Sequence, residues 1–272
     1  VLMLHLGDAA HFFTFAQIER FNFGFTGVRV FFVISGFLIT SLLLDEHDLT
    51  GLISLKNFYL RRLIRIFPCS YAFITVAGLL SFFAIVDLAP HDLIRSYLYT
   101  VNYGHMARSW TVAHLWSLSV EEQFYLLWPA VVYFGGRHAA GKTAFCTMLL
   151  CPLIRLALWV LAPQWRADNG YTFETVADAL ATGCLLACYR EFLWTNDFYR
   201  RLLNSRWVLL VPFIAMAGGM LYTRPRIFCL FGQTLLNVAV AICIDWTIRF
   251  PKTAFGRFLN LRPVVFIGVL SY

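Results

Sequence analysis

Long apolar runs, separated by short polar segments, follow one another along the whole chain. They fall at roughly 1–16, 28–44, 66–87, 93–103, 115–134, 144–162, 174–189, 207–222, 227–246 and 261–272. A helix needs about 20 predominantly apolar residues to cross a bilayer, and most of these runs approach that length. The pattern predicts an all-α integral membrane protein, a polytopic bundle of about ten transmembrane helices.

The runs also predict how the bundle is organised. The run at 93–103 is short and contains polar residues, which favours an interfacial or re-entrant segment. Val1 lies inside the first run and Tyr272 inside the last, so we expect the bundle to be truncated at both ends, with incomplete first and last helices. No internal repeat or low-complexity linker divides the chain, which predicts a single transmembrane domain over residues 1–272.

Composition agrees with a membrane protein and excludes several other classes. Hydrophobic residues make up 60% of the chain and charged residues only 14%, whereas soluble domains carry about a quarter charged residues. The net charge of +7 is therefore attributed to cytoplasmic loops, not to nucleic-acid binding. The seven cysteines lie mostly in apolar runs without a C-x-x-C pair, so buried thiols are favoured over a disulfide framework or a metal site.

The distribution of lysine and arginine predicts the orientation. If the loops 45–66, 135–143, 190–206 and 247–262 share one side, they hold fourteen of these residues, against six in the opposite loops. Cytoplasmic loops carry the excess of positive charge, so the first set is assigned to the cytoplasm. The assignment requires that the region 88–114 makes no net crossing.

Two histidines near the start of the chain are candidates for a general base. His5 lies in an apolar segment, and a neutral imidazole suits the removal of a proton from a hydroxyl near pH 7. A helix-end histidine that bonds to backbone groups is an equally weighted alternative. His11, six residues further on, competes for the same role, and spacing does not decide between them.

A basic cluster precedes Pro68. It consists of Arg61, Arg62 and Arg65, and on a helix Arg61 and Arg65 share one face with Arg62 beside it. Guanidinium groups bind phosphates through paired hydrogen bonds, which makes this cluster a candidate acyl-donor site. The alternative is that these arginines only fix the orientation of the helix, with their positive charges on the cytoplasmic side. The three arginines within five residues slightly favour phosphate binding over this alternative.

Adjacent carboxylates, Glu121 and Glu122, begin a long apolar helix. A charged side chain at bilayer depth costs roughly 2.5–3.5 kcal/mol on insertion scales and therefore usually serves function. Ser117 and Tyr125 lie one turn from Glu121, so all three are predicted to line a cavity, with Glu122 directed to the interface or to a cation. Trp116 and Tyr125 alternatively form an aromatic belt. The same entrance also contains His114.

Two further features have a structural and a functional interpretation. Ser35, Gly36 and Phe37 interrupt a bulky span, and close helix packing at Gly36 is favoured over ligand contact. Asp178 and Asp245 lie within apolar runs. Intramembrane acids can relay protons, so a transporter remains an alternative function. Arg155 is a candidate buried partner for one of these two acids.

These motifs, in this order, resemble the membrane acyltransferase-3 family, the sugar and lipid O-acyltransferases of bacterial envelopes. The stretch Trp-Ser-Leu-Ser-Val-Glu-Glu-Gln-Phe-Tyr is highly specific, and the Ser-Gly-Phe and Arg-x-x-Arg elements are less so. The matching stretches are Gly27–Thr40, Phe58–Pro68, His114–Pro129, Ala177–Ala187 and Phe266–Tyr272.

The resemblance implies a bundle of about ten transmembrane helices in which His5 is the catalytic base and Arg62 and Arg65 act in the acyl-donor step. Glu121 matches the family glutamate. Arg29 stands where the family often has an acidic residue, so no role is carried over to it.

The expected function is transfer of a short acyl group, in the first place acetyl, from acyl-coenzyme A to a hydroxyl of a sugar or lipid-linked glycan. Acyl-coenzyme A is expected as a co-substrate, with no permanently bound cofactor and no metal. The expected location is the inner (plasma) membrane, with multiple passes and with the lipid bilayer as a partner. A transporter and a non-catalytic membrane scaffold are the rival hypotheses.

Overall fold

The computed structural model describes residues 23–104, 109–205, 207–211 and 231–271. Within these ranges every regular element is helical and no strand is present, which confirms the all-α class. The helices are α1 (Phe23–Thr50), α2 (Leu55–Phe82), α3 (Pro90–Tyr97), α4 (Trp110–Ala113), α5 (Leu115–Leu161), α6 (Phe173–Thr195), α7 (Asp197–Leu203), α8 (Gln233–Arg249), α9 (Ala254–Leu259) and α10 (Arg262–Ser271).

Helix α5 consists of two arms. Its 47 residues would extend about 70 Å as one straight helix, more than twice the hydrocarbon thickness of a bilayer. The chain breaks at Gly136, where φ is 61° and ψ is −171°, a conformation that a residue with a Cβ rarely adopts. We call residues 115–135 the first arm of α5 and residues 137–161 the second arm.

Contacts along the helices give their relative directions. Ser35 and Thr40 of α1 meet Glu121 and Trp128 of the first arm, so these two helices run in the same direction. The second arm runs against α6, since Arg155 bonds to the Thr175 carbonyl whereas a Cβ at Gly141 would meet Tyr189. Helices α1 and α6 run in the same direction, since Arg29 pairs with Asp178 and the Gly36 carbonyl accepts from the Cys184 thiol. The chain therefore reverses at Gly136.

Further contacts bring the four basic loops to one side. Arg137 pairs with Asp48 at 2.7 Å, which joins the first two loops. Arg249 donates to the Arg190 carbonyl at 2.8 Å, which joins the last two. The close approach of Gly141 to Tyr189 connects the pairs. The prediction that these loops share a side is therefore confirmed.

The region 88–114 contains no crossing helix among its described residues. Its longest helix, α3, has 8 residues and is followed by one 3-10 turn at Val101–Tyr103. The Phe73 ring in the second half of α2 lies 5.3 Å from the His114 ring at the start of α5, so the end of α2 and the start of α5 are on the same side. This agrees with the expected absence of a net crossing.

The number of spans and two loop boundaries differ from the sequence prediction. By length and composition, three described helices can cross a membrane: α1, α2 and the run Trp110–Leu161. A bundle of ten is thus not confirmed for the described part of the chain. Helix α2 begins at Leu55 and the second arm at residue 137, so Arg61, Arg62 and Arg65 and most of the predicted loop 135–143 are helical. Charged residues mislead here because long basic side chains reach the interface from within a helix.

Small residues bring α1 and α6 into backbone contact at the centre of the bundle. A Cβ added at Gly36 would lie 2.0 Å from the Leu180 carbonyl oxygen, and one at Gly183 would lie 2.0 Å from that of Val33. Such contact is the usual role of small residues between membrane helices. The largest buried apolar cluster surrounds this crossing and includes Phe37, Phe124 and Trp128.

Candidate active site

The carboxylate of Glu121 is buried between α1 and the first arm of α5. Glu121 is 4% exposed, and its Oε1 accepts a hydrogen bond of 2.5 Å from the Ser35 hydroxyl. The Tyr125 hydroxyl, one turn further along the same arm, also bonds to this carboxylate. Ser35 and Tyr125 are themselves buried. Glu121 and Tyr125, which the helical spacing predicted to line one cavity, thus contact each other, and the structure adds Ser35 from α1.

Arg62 reaches the same place from α2. Its guanidinium carbon lies 4.6 Å from the centre of the Tyr125 ring and 5.8 Å from that of Phe58. Guanidinium groups over aromatic rings are attracted by the ring quadrupole. The positive charge of Arg62 also acts on Glu121 and Glu122. Arg62 therefore belongs to the carboxylate site.

Arg61 and Arg65 are more accessible than Arg62. Both are exposed, and Arg61 lies 3.8 Å from Glu46 at the end of α1. One turn separates them on α2, and Arg62 occupies the neighbouring face, as the helical spacing predicts. The basic cluster is consequently divided, with one arginine half-buried against Tyr125 and two exposed.

Glu122 lies on the side of the first arm that faces α2 and the loop at Tyr99. Its Oε1 is buried and has no hydrogen-bond partner among the described residues, although the charge of Arg62 acts on it. Burial, with the Glu122 charge as a further cause, raises the pKa of Tyr99 to about 12, so that phenol stays protonated at neutral pH. The predicted orientation toward a cation agrees with the position of Arg62.

An amide clamp holds the loop beside these carboxylates. The Gln123 amide donates to the Tyr99 carbonyl at 2.9 Å and exchanges two hydrogen bonds with Asn102. The Tyr99 hydroxyl lies 2.6 Å from that of Ser70 on α2. The sequence gives no signal for Tyr99, because its positive φ of 52° and its partners depend on the folded loop.

The other predicted residues of this entrance have structural contacts. Trp116 packs among the rings of Phe25, Phe32 and Tyr171, with the Tyr171 centroid at 4.9 Å. The Ser117 hydroxyl donates to the His114 carbonyl at 3.2 Å. The imidazole of His114 is exposed and lies against Phe73. Tyr125 therefore contacts Glu121, whereas Ser117, the third residue predicted to line this cavity, bonds to the backbone.

Comparison with known proteins identifies the family. A family model described as an acyltransferase domain matches residues 1–272. The chain belongs to this acyltransferase family. Its membership, together with the apolar helices, makes it a membrane protein of the family that the sequence motifs indicated.

The similar curated proteins are O-acetyltransferases. The chain is 30% identical over 281 residues to the O-acetyltransferase OatA of Staphylococcus aureus strain NCTC 8325 / PS 47, and equally to that of strain COL. The match covers 92% of this chain and 44% of each relative. A further protein of strain COL, SACOL0978, is 41% identical over 121 residues, 40% of this chain and 20% of its own. No solved structure matches. The chain thus spans less than half the length of the two OatA proteins.

Within this acyltransferase domain, the intramembrane acids that suggested a proton relay are held in ion pairs. Asp178 is fully buried and contacts Arg29 at 3.2 Å and Arg155 at 3.0 Å. Asp245 contacts Arg190 at 3.3 Å and Arg249 at 3.0 Å. The predicted pairing of Arg155 with one of these acids is confirmed. These ion pairs account for the two acids within apolar helices without a proton relay.

The candidate bases lie outside the described residues. His5 and His11 belong to the segment 1–22, so their roles remain predictions. In the described part of the chain, no group of three or more His, Cys, Asp and Glu side chains has the arrangement of a metal site. Gly36, predicted as a packing residue, performs that role against Leu180, and Phe37 is part of the core.

The arrangement around Glu121 has clear chemical uses. A buried carboxylate that accepts bonds from two hydroxyls and faces a guanidinium is held in a fixed orientation. Such a group can orient an imidazole, accept a bond from a substrate hydroxyl, or balance positive charge that develops during proton transfer. Each use fits acyl transfer to a hydroxyl.

Proposed function

We propose that this domain is an O-acyltransferase that moves a short acyl group, in the first place acetyl, from acyl-coenzyme A to a hydroxyl of a sugar or lipid-linked glycan. The acceptor hydroxyl attacks the thioester carbonyl, the new C–O bond forms, and the C–S bond breaks. The hydroxyl proton passes to the base, and coenzyme A leaves as the thiol. The enzyme functions as a multi-pass protein of the plasma membrane.

The observation that carries this proposal is the buried Glu121 with Ser35, Tyr125 and Arg62 around it. Three helices contribute to this cluster, and its carboxylate lies in the most specific motif of the chain. The O-acetyltransferase names of the relatives support the reaction class. His5 is the proposed general base, with Glu121 as the group that orients it or stabilises its charged form.

The division of the basic cluster supports a donor site at the surface of α2. Arg61 and Arg65 are exposed on the side of the basic loops, where the phosphates of acyl-coenzyme A would arrive from the cytoplasm. Arg62 lies between that surface and the two carboxylates, Glu121 and Glu122. The thioester end of the donor must then reach from this side into the bundle, where the acceptor hydroxyl from the opposite side attacks it.

The test uses the full-length protein in proteoliposomes with radiolabelled acetyl-coenzyme A on the side of the basic loops. We expect the label to appear in an ester of an added glycan or lipid-linked glycan, and alkaline hydrolysis should release it as acetate. Boiled protein and vesicles without acceptor are the controls.

Transport measurements in the same vesicles address the rival function. Solute or ion flux driven by a gradient, without acetyl-coenzyme A and without ester formation, would contradict the proposal and favour a transporter. Normal acylation by a Glu121→Gln variant would show that the reaction occurs at another site.

A further inference from the structure

A large apolar cavity lies on the side of the basic loops, away from Glu121. Its volume is about 720 Å³, a size typical of small-molecule sites. The second arm of α5, α6 and α8 form its walls, and α7 lines one end. No residue of the Glu121 cluster lines this cavity, so the proposed reaction does not account for it.

The cavity extends through half the thickness of the bilayer. Its lining on α6 runs from Thr182 to Leu193, about 16 Å along a helix that rises about 1.5 Å per residue. The hydrocarbon core is about 30 Å thick, so one leaflet contributes about 15 Å. Since α6 ends at Thr195 beside a basic loop, this half is the leaflet on the side of the basic loops. The length of the cavity therefore suits one acyl chain of a lipid in that leaflet.

Two polar groups of the lining are free to bind a head group. In the part of the chain that the structure describes, Lys142 has no ion pair and the Tyr189 hydroxyl has no hydrogen bond. They lie close together, because a Cβ at Gly141 would collide with the Tyr189 hydroxyl. The other hydroxyls of the lining, on Thr182 and Tyr199, donate to groups of the bundle. An ammonium and a phenol can both donate to phosphate oxygens.

Exposed rings surround the opening of the cavity. Phe145 on the second arm is 50% exposed, and Phe192 near the end of α6 and Phe198 on α7 are 73% and 77% exposed. All three rings line the cavity. Exposed apolar patches mark sites that contact a membrane or a partner. In a membrane protein such rings lie against lipid, so the cavity opens to the bilayer.

We propose that this cavity binds one acyl chain of an anionic phospholipid from the cytoplasmic leaflet, with the lipid phosphate at Lys142 and Tyr189. Positive side chains beside a membrane attract the anionic lipids of that leaflet. The acetyl group of the proposed donor has no chain that would fill a cavity of this length. The bound lipid would join the second arm of α5 to α8, a role that goes beyond the proposed function.

The experiment is photolabelling of the full-length protein in phosphatidylcholine vesicles. One set of vesicles contains a trace of phosphatidylglycerol with a diazirine in the middle of one chain, and a second set contains phosphatidylcholine with the same chain. Digestion and mass spectrometry locate the label, and the exposed side of α2 is the reference for general lipid contact.

Relative to that reference, we expect the cavity walls at 141–148, 185–193 and 238–242 to be labelled about fivefold more by phosphatidylglycerol than by phosphatidylcholine. This preference is the one that a single lysine near a membrane surface provides.

Two pairs of variants make the test specific. Lys142→Glu reverses the charge at the head-group position and should abolish the preference for phosphatidylglycerol. Lys252→Glu changes an exposed lysine outside the cavity and should keep the preference. Val238→Phe narrows the cavity and should lower the labelling of its walls by both lipids. Leu235→Phe alters an exposed position of α8 outside the lining and should behave like the parent protein.

Equal labelling of the cavity walls by both lipids in the parent protein would overturn the proposal. So would the absence of label from these segments, since the cavity would then be closed to lipid. Loss of the label with unlabelled long-chain acyl-coenzyme A, but not with excess phosphatidylglycerol, would assign the cavity to an acyl donor instead.

If Val238→Phe does not fold, the contrast between Lys142→Glu and Lys252→Glu still decides the question. The labelling requires no acyl transfer, so a failure of this proposal is distinguishable from a failure of the proposed function.

Discussion

The Ser35 hydroxyl and the Glu121 carboxylate are 86 positions apart in sequence and are joined by a hydrogen bond of 2.5 Å in the bundle interior. The bond connects the Ser-Gly-Phe element of α1 with the glutamate motif of α5. Both partners are nearly inaccessible, at 1% and 4% exposure, so the serine satisfies one carboxylate oxygen that would otherwise be unpaired.

The two adjacent glutamates provide a matched pair of variants. Glu121→Gln preserves size but removes the charge that Ser35, Tyr125 and Arg62 surround. We expect acyl transfer to fall about 10²–10³-fold, the loss typical of one electrostatic contributor. Glu122→Gln removes the neighbouring charge and should have a mild effect. Turnover is measured with both variants at equal amounts in the membrane.

The reverse ranking would identify Glu122 as the functional carboxylate. Its Oε1 is the one that lacks a hydrogen-bond partner in the described structure, so it offers a free acceptor to a substrate. Equal and severe loss in both variants, with normal membrane levels, would indicate that the two carboxylates act as one unit with Arg62.

The three arginines of α2 are expected to differ in effect. Arg65→Ala and Arg61→Ala alter the exposed surface and should mainly raise the KM for acyl-coenzyme A. Arg62→Ala should also lower kcat, because it removes the cation beside Glu121 and the contact with Tyr125. Arg62→Lys should restore activity only in part, since an ammonium lacks the planar fork of a guanidinium.

Steady-state kinetics with varied acyl-coenzyme A separate these effects. An unchanged KM in Arg61→Ala and Arg65→Ala would show that these two arginines serve only as topology anchors. A change of KM alone in Arg62→Ala would place Arg62 with the donor and not with the carboxylates.

His5→Ala in the full-length protein is expected to abolish acyl transfer while the protein still inserts into the membrane. Loss of a general base typically lowers a rate by 10²–10⁴-fold. His11→Ala is the matched variant, since it removes a second imidazole six residues away. Near-normal turnover in His5→Ala with loss in His11→Ala would move the base to His11.

Much of this architecture follows from the sequence, because helix-forming apolar runs and charged loops are local properties. The apolar pattern predicted the all-α class, and the basic residues predicted which loops share a side. The loop prediction at 135–143 was too wide because Arg137 and Lys142 extend from a helix. A single glycine, Gly136, makes the reversal, and its conformation cannot be read from its neighbours.

The sequence predicted the individual residues of the candidate site, but not the contacts that join them across helices. Glu121, Ser35, Tyr125 and Arg62 were each identified by residue type and helical position. The contact of Glu121 with Tyr125 follows from their spacing of one helical turn. The contacts with Ser35 and Arg62 depend on which helices are neighbours, and sequence spacing does not encode that. Arg29 shows the same limit, since it was recognised as a departure from the family pattern whereas its partner, Asp178, lies 149 positions away.

The crossing of α1 and α6 gives the sharpest prediction about stability. Gly36→Ala would place a Cβ 2.0 Å from the Leu180 carbonyl oxygen, a backbone atom that cannot move without shifting α6. Overpacking of this kind typically costs about 1–3 kcal/mol, which exceeds the gain of roughly 0.5–1 kcal/mol from replacing a helical glycine by alanine. The variant should therefore unfold at a lower temperature and lose activity, because Ser35 is displaced from Glu121.

Gly183→Ala should behave in the same way, since its Cβ would lie 2.0 Å from the Val33 carbonyl oxygen on the other side of the crossing. Gly268→Ala is the control: an added Cβ there meets no atom within 4 Å, so the melting temperature should stay equal or rise slightly. The measurement is thermal unfolding of purified protein in detergent, paired with acyl transfer at a temperature where all variants are folded. A Gly36→Ala protein as stable as Gly268→Ala would show that α1 and α6 are not in backbone contact, and the position of Ser35 against Glu121 would then lose its support.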